Sequence, residues 1–221
     1  MNKNTQRWAA ALVIAALVVI GAFAWYSQRR TSRFIQSTTP TLFFHGGGSS
    51  YHAEEHMVNA AKKAGVTKTV LRADVSKSGQ VTLHGTMQRH AINPIVEVNL
   101  EDNKLANYQS DYTAGYHHGG TYVRNVVQAL QKQHHYRQIN LVGHSMGNLE
   151  IINYINDNYA NANLPKVAHL VAIAGHYNGL VGQRSSEQAT INRKTGEPSS
   201  MDPSYRELLG LRQHFPTGTA V

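Results

Sequence analysis

Cysteine is absent from the 221-residue chain, which removes disulfides, thiolate metal sites and cysteine nucleophiles from consideration. Metal-ligand spacing is missing too. The thirteen histidines do not fall at zinc spacings with a partner glutamate, and the adjacent pairs His117-His118 and His134-His135 would point apart on a helix. No metal or cofactor is expected, and most of these histidines read as surface residues. Carboxylates are few, 13 against 21 Lys and Arg, for a net charge of +8 and a pI near 9.7. The cations are scattered, clustering only at Arg29-Arg30-Arg33 and Lys62-Lys63, with no basic stripe interleaved with aromatics. A nucleic-acid partner is therefore not expected, and a basic surface facing an anionic envelope accounts for the balance. With no internal repeat or low-complexity tract, the length suits one domain with an appendage.

Charge is missing altogether between Trp8 and Tyr26, nineteen residues dominated by Ala, Val, Leu and Ile. As a helix they span about 30 Å, enough to cross a bilayer once. A stretch apolar on every face at an extreme N-terminus does not suit a core helix. Two readings stay open, an uncleaved signal anchor and a signal peptide cut after Ala22-Phe23-Ala24, and the length favours the anchor. Lys3 and Arg7 before it nearly balance Arg29, Arg30 and Arg33 after it, so flanking charge sets no orientation. Residues 1–26 are thus a membrane anchor or signal segment, 27–40 a polar linker ending at Pro40, and 41–221 the folded domain. The expected location is the cell membrane, single-pass with the domain outside, or secretion after cleavage near Ala24.

What the chain does carry is Gly143-His144-Ser145-Met146-Gly147, the G-x-S-x-G pattern. Ile139, Leu141 and Val142 form an apolar strand before it, and Leu149, Ile152 and Ile155 give helical spacing after it. A strand running into a helix through such a turn lifts the serine oxygen above the sheet edge. Gly143 and Gly147 allow the sharp turn and close helix packing. Ser145 then sits at a helix N-terminus, where N–H groups stabilise an oxyanion. A second glycine-rich loop, His45-Gly46-Gly47-Gly48-Ser49, follows the apolar strand Thr41–Phe44. In a serine hydrolase such a loop supplies the other oxyanion donor, here Gly47. A phosphate loop is the alternative, but neither a Gly-Lys-Ser/Thr ending nor G-x-G-x-x-G is present. His45 and His144 flank these loops and read as turn-packing residues rather than as the base.

Elsewhere Met57, Ala60, Ala61 and Ala64 predict a helix stopping at Gly65, and 69–72 with 81–84 predict a hairpin or a strand with an excursion. Residues 95–100 predict a strand, followed by a polar loop holding Asp102, Asp111 and Gly119-Gly120. Val123, Val126, Val127 and Leu130 predict an amphipathic helix, and Val167–Ile173 a further buried strand. Alternating strands and helices point to a mostly parallel sheet with helices on both faces.

The two loops, with Ile173-Ala174-Gly175-His176-Tyr177-Asn178-Gly179, resemble the α/β-hydrolase family of cell-surface hydrolases from Gram-positive bacteria such as lactobacilli, formerly a domain of unknown function. The resemblance covers roughly residues 38–221. It implies an α/β-hydrolase fold and an exported serine hydrolase acting on small or lipid-like esters or amides through a Ser-Asp-His triad. Ser145 would be the nucleophile, with backbone donors at Gly47 and Met146. Relatives of this kind continue further, and after Ala174 no strand pattern follows, only a helix-like Tyr205, Leu208, Leu209 pattern. The expectation is a domain whose C-terminal strands, triad acid and triad histidine are not in this chain, so that it hydrolyses poorly. Asp202 and His214 are in the right order but read as surface residues of a lid. The rival expectation is a non-catalytic binding module, and the segment 176–204 would form the lid that sets specificity.

Overall fold

A computed structural model describes residues 2–31, 34–180 and 189–221. Arg33 and positions 181–188 of the expected lid lie outside the described residues. Helix α1, Lys3–Thr31, runs past the expected end at residue 26. Its Gln6–Ser27 portion is long and apolar enough to cross a membrane, and its large apolar side chains, from Trp8 to Trp25, are exposed.

The remaining elements are β1 (Thr41–Phe44), α2 (Glu55–Lys63), β2 (Val70–Val75), β3 (Val81–His84), β4 (Ile95–Leu100), α3 (Tyr112–Gln133), β5 (Gln138–His144), α4 (Met146–Asn158), β6 (Lys166–Ile173), α5 (Pro203–Glu207) and α6 (Leu211–His214). The strands form one six-stranded sheet in the order β3-β2-β4-β1-β5-β6. Only β3 is antiparallel, closing a hairpin with β2. The crossover from β1 to β2 moves across the sheet in one direction, and those from β4 to β5 and β5 to β6 in the other. Right-handed connections therefore place α2 on one face and α3 with α4 on the opposite face. The main core lies under α3 and α4, where Leu42, Phe44, Val96, Val98, Leu141, Val123, Val126, Val127 and Ile151 are fully or almost fully buried. Phe44 stands beside Gly143 in the register of β1 and β5, so both glycine-rich loops leave the sheet at the same height.

Three expectations change in the folded chain. Gly119 and Gly120 belong to α3 rather than to the loop before it, because α3 crosses α4 closely there. A Cβ on Gly120 would lie 2.9 Å from the Tyr154 backbone nitrogen, and one on Gly119 would lie 2.6 Å from Glu150 Cγ. Helix α2 forms and yields to Gly65, whose φ is +77°, but it turns Val58 inward and leaves Met57, Ala60 and Ala64 exposed. The alanine stripe was too weakly apolar to decide that face. Strand β6 is only half buried: Val167 and Leu170 point into the core while Val171 is 50% exposed. Its outer edge meets two residues from the C-terminal segment: Thr219 Oγ1 donates to Val167 O at 2.6 Å, Ala220 N donates to Ala168 O at 2.9 Å and Ala220 O accepts from Leu170 N at 2.8 Å.

Candidate active site

Strand β5 ends at His144, and the next residue turns the chain into α4. Ser145 makes that turn at φ 51° and ψ −119°, a region that an L-residue with a Cβ occupies at a strain of about 1–3 kcal/mol. Three hydrogen bonds offset it. Ser145 N donates to Ile173 O at 2.9 Å, and Ser145 O accepts from the backbone N of Asn148 at 3.1 Å and from its Nδ2 at 3.1 Å. The same amide nitrogen of Asn148 donates to Ile173 O at 2.8 Å, tying the end of β6 to the turn. Gly143 makes this clamp possible, since a Cβ there would lie 2.6 Å from Asn148 Oδ1. Gly147 is still more confined: its Cβ would lie 2.4 Å from Phe44 O and 2.8 Å from His45 O. Both glycines are present because β1, β5 and α4 touch there through backbone.

The loop after β1 is held with equal care. The imidazole of His45 is fully buried; its Nε2 accepts from Leu100 N at 3.0 Å and its Nδ1 donates to Gly46 O at 2.9 Å. Burial, with a smaller contribution from His144, holds its pKa below the ordinary histidine value despite the bond to Gly46. A neutral ring with one donor and one acceptor nitrogen suits these two partners, so His45 is a structural brace, as its turn-packing reading expected. Gly48, at φ +70°, donates to Asn103 O at 2.7 Å, and Asn103 Nδ2 donates back to Ser49 O. The braced loop lies against the turn: a Cβ on Gly46 would be 3.0 Å from Ser145 Cβ, and one on Gly47 3.3 Å from Met146 Sδ. Among the described residues, neither the Gly47 nor the Met146 N–H donates to a protein acceptor. That of Met146 belongs to the first turn of α4, which has no intrahelical partner to offer it.

Ser145, Gly47, Gly48 and Met146 open onto a cavity of about 430 Å³, whose other walls include Lys104, Tyr112, Tyr116, His176, Leu180 and Asp202. Asp202, expected on the lid surface, thus lines the pocket. It also caps α5, accepting from Ser204 N at 3.0 Å and Ser204 Oγ at 2.6 Å. His214 stays outside, stacked on Tyr159 with ring centroids 4.5 Å apart. His176, which sequence reasoning left unassigned, meets Tyr116 edge to face at 6.4 Å. Its Nδ1 is buried without a partner among the described residues. Burial lowers its pKa and the Asp202 charge partly restores it. Beneath the pocket, Glu150 of α4 is fully buried with both carboxyl oxygens unpartnered among the described residues. Burial first, and Asp102 second, push its pKa up to about 8. Nothing in the residue pattern marked Glu150, whose position one turn beyond the serine reads as an ordinary helix site. Among the described residues, no three metal-ligating side chains converge.

A strained serine at a strand-to-helix turn, over a parallel sheet and beside a glycine-rich loop from the neighbouring strand, defines the α/β-hydrolase class. Residues 28–221 match the family described as alpha/beta hydrolase of unknown function (DUF915), and the chain belongs to that family. Two solved structures share the fold. One is the product of the gene lin2722 from Listeria innocua, 18% identical over 80% of this chain, with a TM-score of 0.66. The other is a candidate cell surface hydrolase from Lactobacillus plantarum WCFS1, 17% identical over 76% of this chain, with a TM-score of 0.56. The chain spans 66% and 60% of their respective lengths. No curated protein matches it.

Proposed function

We propose that the chain is an exported, membrane-attached serine hydrolase module acting on carboxylic esters or amides. The observation that carries this reading is the Ser145 backbone, held at φ 51° where the hydroxyl stands clear of the sheet and beside two uncommitted N–H groups. Ser145 Oγ attacks the carbonyl carbon, the Gly47 and Met146 N–H groups receive the negative oxygen, and the alcohol or amine departs with a proton. Water then releases the acid and restores the serine. Attachment is supported by Gln6–Ser27: each Leu, Ile, Val or Phe favours insertion by about 0.3–0.6 kcal/mol, and no ionised side chain between Trp8 and Tyr26 opposes it. The described cell surface hydrolase from Lactobacillus plantarum agrees with an exported site.

A second reading, substrate binding with little turnover, is favoured by His176. Among the described residues it is the histidine that shares the pocket with Ser145, and none of them partners its buried Nδ1. A triad histidine needs a carboxylate at one nitrogen to orient the ring and stabilise its charged form. Without a positioned base the hydroxyl is a poor nucleophile, and turnover falls by about 10⁴-fold or more. This chain is therefore expected to hydrolyse p-nitrophenyl esters slowly and to label weakly with a fluorophosphonate, with Ser145→Ala removing what remains. Ordinary turnover that His176→Gln abolishes would make His176 the base and end the low-activity reading. Labelling that survives Ser145→Ala would end the assignment of the nucleophile.

A further inference from the structure

The two rims of the sheet carry opposite charge. Parallel strands begin at one rim, built from residues 34–40, 62–69, 84–94, 131–138 and 159–166. These segments hold Lys62, Lys63, Lys68, Arg89, Lys132, Arg137 and Lys166 and not one carboxylate. All seven cations are exposed, and among the described residues none forms a salt bridge. The opposite rim holds the pocket. Its loops 45–54, 76–80 and 101–111 carry Glu54, Glu101, Asp102 and Asp111 against two lysines, Lys77 and Lys104. The scattered cations of the linear sequence are thus gathered by topology, because every crossover returns the chain to the same edge.

The basic rim is also the tethered one. Asn93 binds residues 35 and 37 to it, donating from Nδ2 to Ile35 O at 2.9 Å and accepting from Ser37 N at 2.9 Å. Ile35 lies eight residues beyond Ser27, where the apolar span ends, and eight residues reach no further than about 28 Å. Two grooves, of about 720 and 680 Å³, meet on this rim at Tyr136, Arg137 and Gln138. Arg89, Arg137, Lys166 and neutral amides and hydroxyls line them, an inventory of donors suited to phosphate oxygens. Ile35, Ile92 and Tyr159 add exposed apolar groups on the same rim.

We propose that this amino-terminal rim docks on the anionic headgroups of the bilayer that holds α1, and that the Ser145 pocket consequently opens away from the membrane. The inference rests on the attachment reading above. Strand β5 separates the basic rim from Ser145 by roughly 20 Å at 3.3 Å per residue. The substrate would then be an ester or amide reaching the site from the aqueous side, not an acyl chain of the supporting bilayer. Basic residues close to an anionic surface each strengthen adsorption about fivefold at moderate salt, and screening removes the effect.

The cysteine-free chain allows a direct test. The full chain is reconstituted into vesicles of phosphatidylcholine with or without phosphatidylglycerol, carrying a fluorophore at Asn161→Cys on the basic rim or at Gln109→Cys on the pocket rim. Quenching by headgroup spin label is expected to be several-fold stronger at position 161 than at 109 in anionic vesicles. The difference should shrink without phosphatidylglycerol, in about 0.5 M salt, and in the Lys68→Glu, Arg89→Glu, Arg137→Glu variant. Flotation reports attachment separately. A chain that floats with equal quenching at both positions, or with quenching at 161 indifferent to lipid charge, salt and charge reversal, overturns the docking proposal alone. A chain that does not float overturns the attachment reading and the docking with it.

Discussion

The pocket has two walls of different construction. On the β5 side, the 45–48 loop, Ser145 and α4 are locked by backbone contacts and by side chains that bond to backbone: His45 to Leu100, Asn148 to Ser145 and Ile173, Asn103 to Ser49. On the far side, the described residues 174–180 and 189–214 are attached mainly through side-chain bonds and a few apolar contacts. Asn178 accepts from Asp202 N at 2.8 Å and donates to Ser200 O at 3.0 Å, Leu208 and Leu211 enter the core, and His117 bridges α4 and α5 by binding Asp157 and Glu207 at 2.8 Å each. The first wall leaves no room for variation in the groups that position Ser145. The second can change composition, and with it substrate fit, without disturbing the turn.

The contrast is broken most severely at Gly147. Gly147→Val places its Cβ 2.4 Å from Phe44 O, with only backbone to give way. The expected loss exceeds about 5 kcal/mol, read as failure to recover a cooperative melting transition together with loss of fluorophosphonate labelling. Retention of both would mean that β1 and α4 are not in backbone contact.

Glu150 is the weak point within the locked wall. Its carboxyl ionises near 4.5 when unfolded and at about 8 when buried, so the stability it leaves intact below pH 4.5 is lost progressively as pH rises from there to about 8. At 1.36 kcal/mol per unit the loss reaches about 4–5 kcal/mol. Glu150→Gln, which keeps the shape of the neutral acid, should flatten the pH dependence of chemical denaturation between pH 5 and 8 and raise stability most at pH 8. A variant with the parent's pH profile would show that Glu150 is solvated.

A smaller effect is expected on the adjustable wall. Burial alone would lower the pKa of His117, but its bonds to Asp157 and Glu207 win and raise it. The stability it adds is fully present below the ordinary histidine range and is lost as pH rises through the raised value. With the ring about one-third exposed, solvent screening limits the pair to about 1 kcal/mol, or about 2–4 °C in melting temperature. His117→Gln should show that loss at pH 6 and little of it at pH 9. Because Asp202 of the pocket wall caps α5, KM should change more than kcat. An unchanged melting curve at pH 6 would mean that the bridge contributes nothing.

The residue pattern carried the central sheet and the turn clearly, and for physical reasons. Strands β1, β4 and β5 are short apolar runs bounded by glycine or polar loops, and Gly143-His144-Ser145-Met146-Gly147 has its glycines where a Cβ would strike backbone. The face of α2 was not legible, since alanines are too weakly apolar to compete with one valine backed by the sheet. The half-exposed state of β6 was hidden because an apolar strand reads alike whether one neighbour or two cover it. Asp202 and His176 entered the pocket unannounced, brought there by the path of the chain after β6 rather than by any local spacing.

What the sequence determined by itself is local: an uncharged span of bilayer length, strand and helix periods, and a serine between glycines at a strand-to-helix turn. Only the tertiary structure decided that His176 and Asp202 share a pocket with that serine, that Glu150 is sealed within α4, and that seven dispersed cations share one rim opposite the pocket. Those relations join residues tens of positions apart. They depend on strand order and crossover hand, which act through packing between elements and leave no mark on the spacing within any one of them.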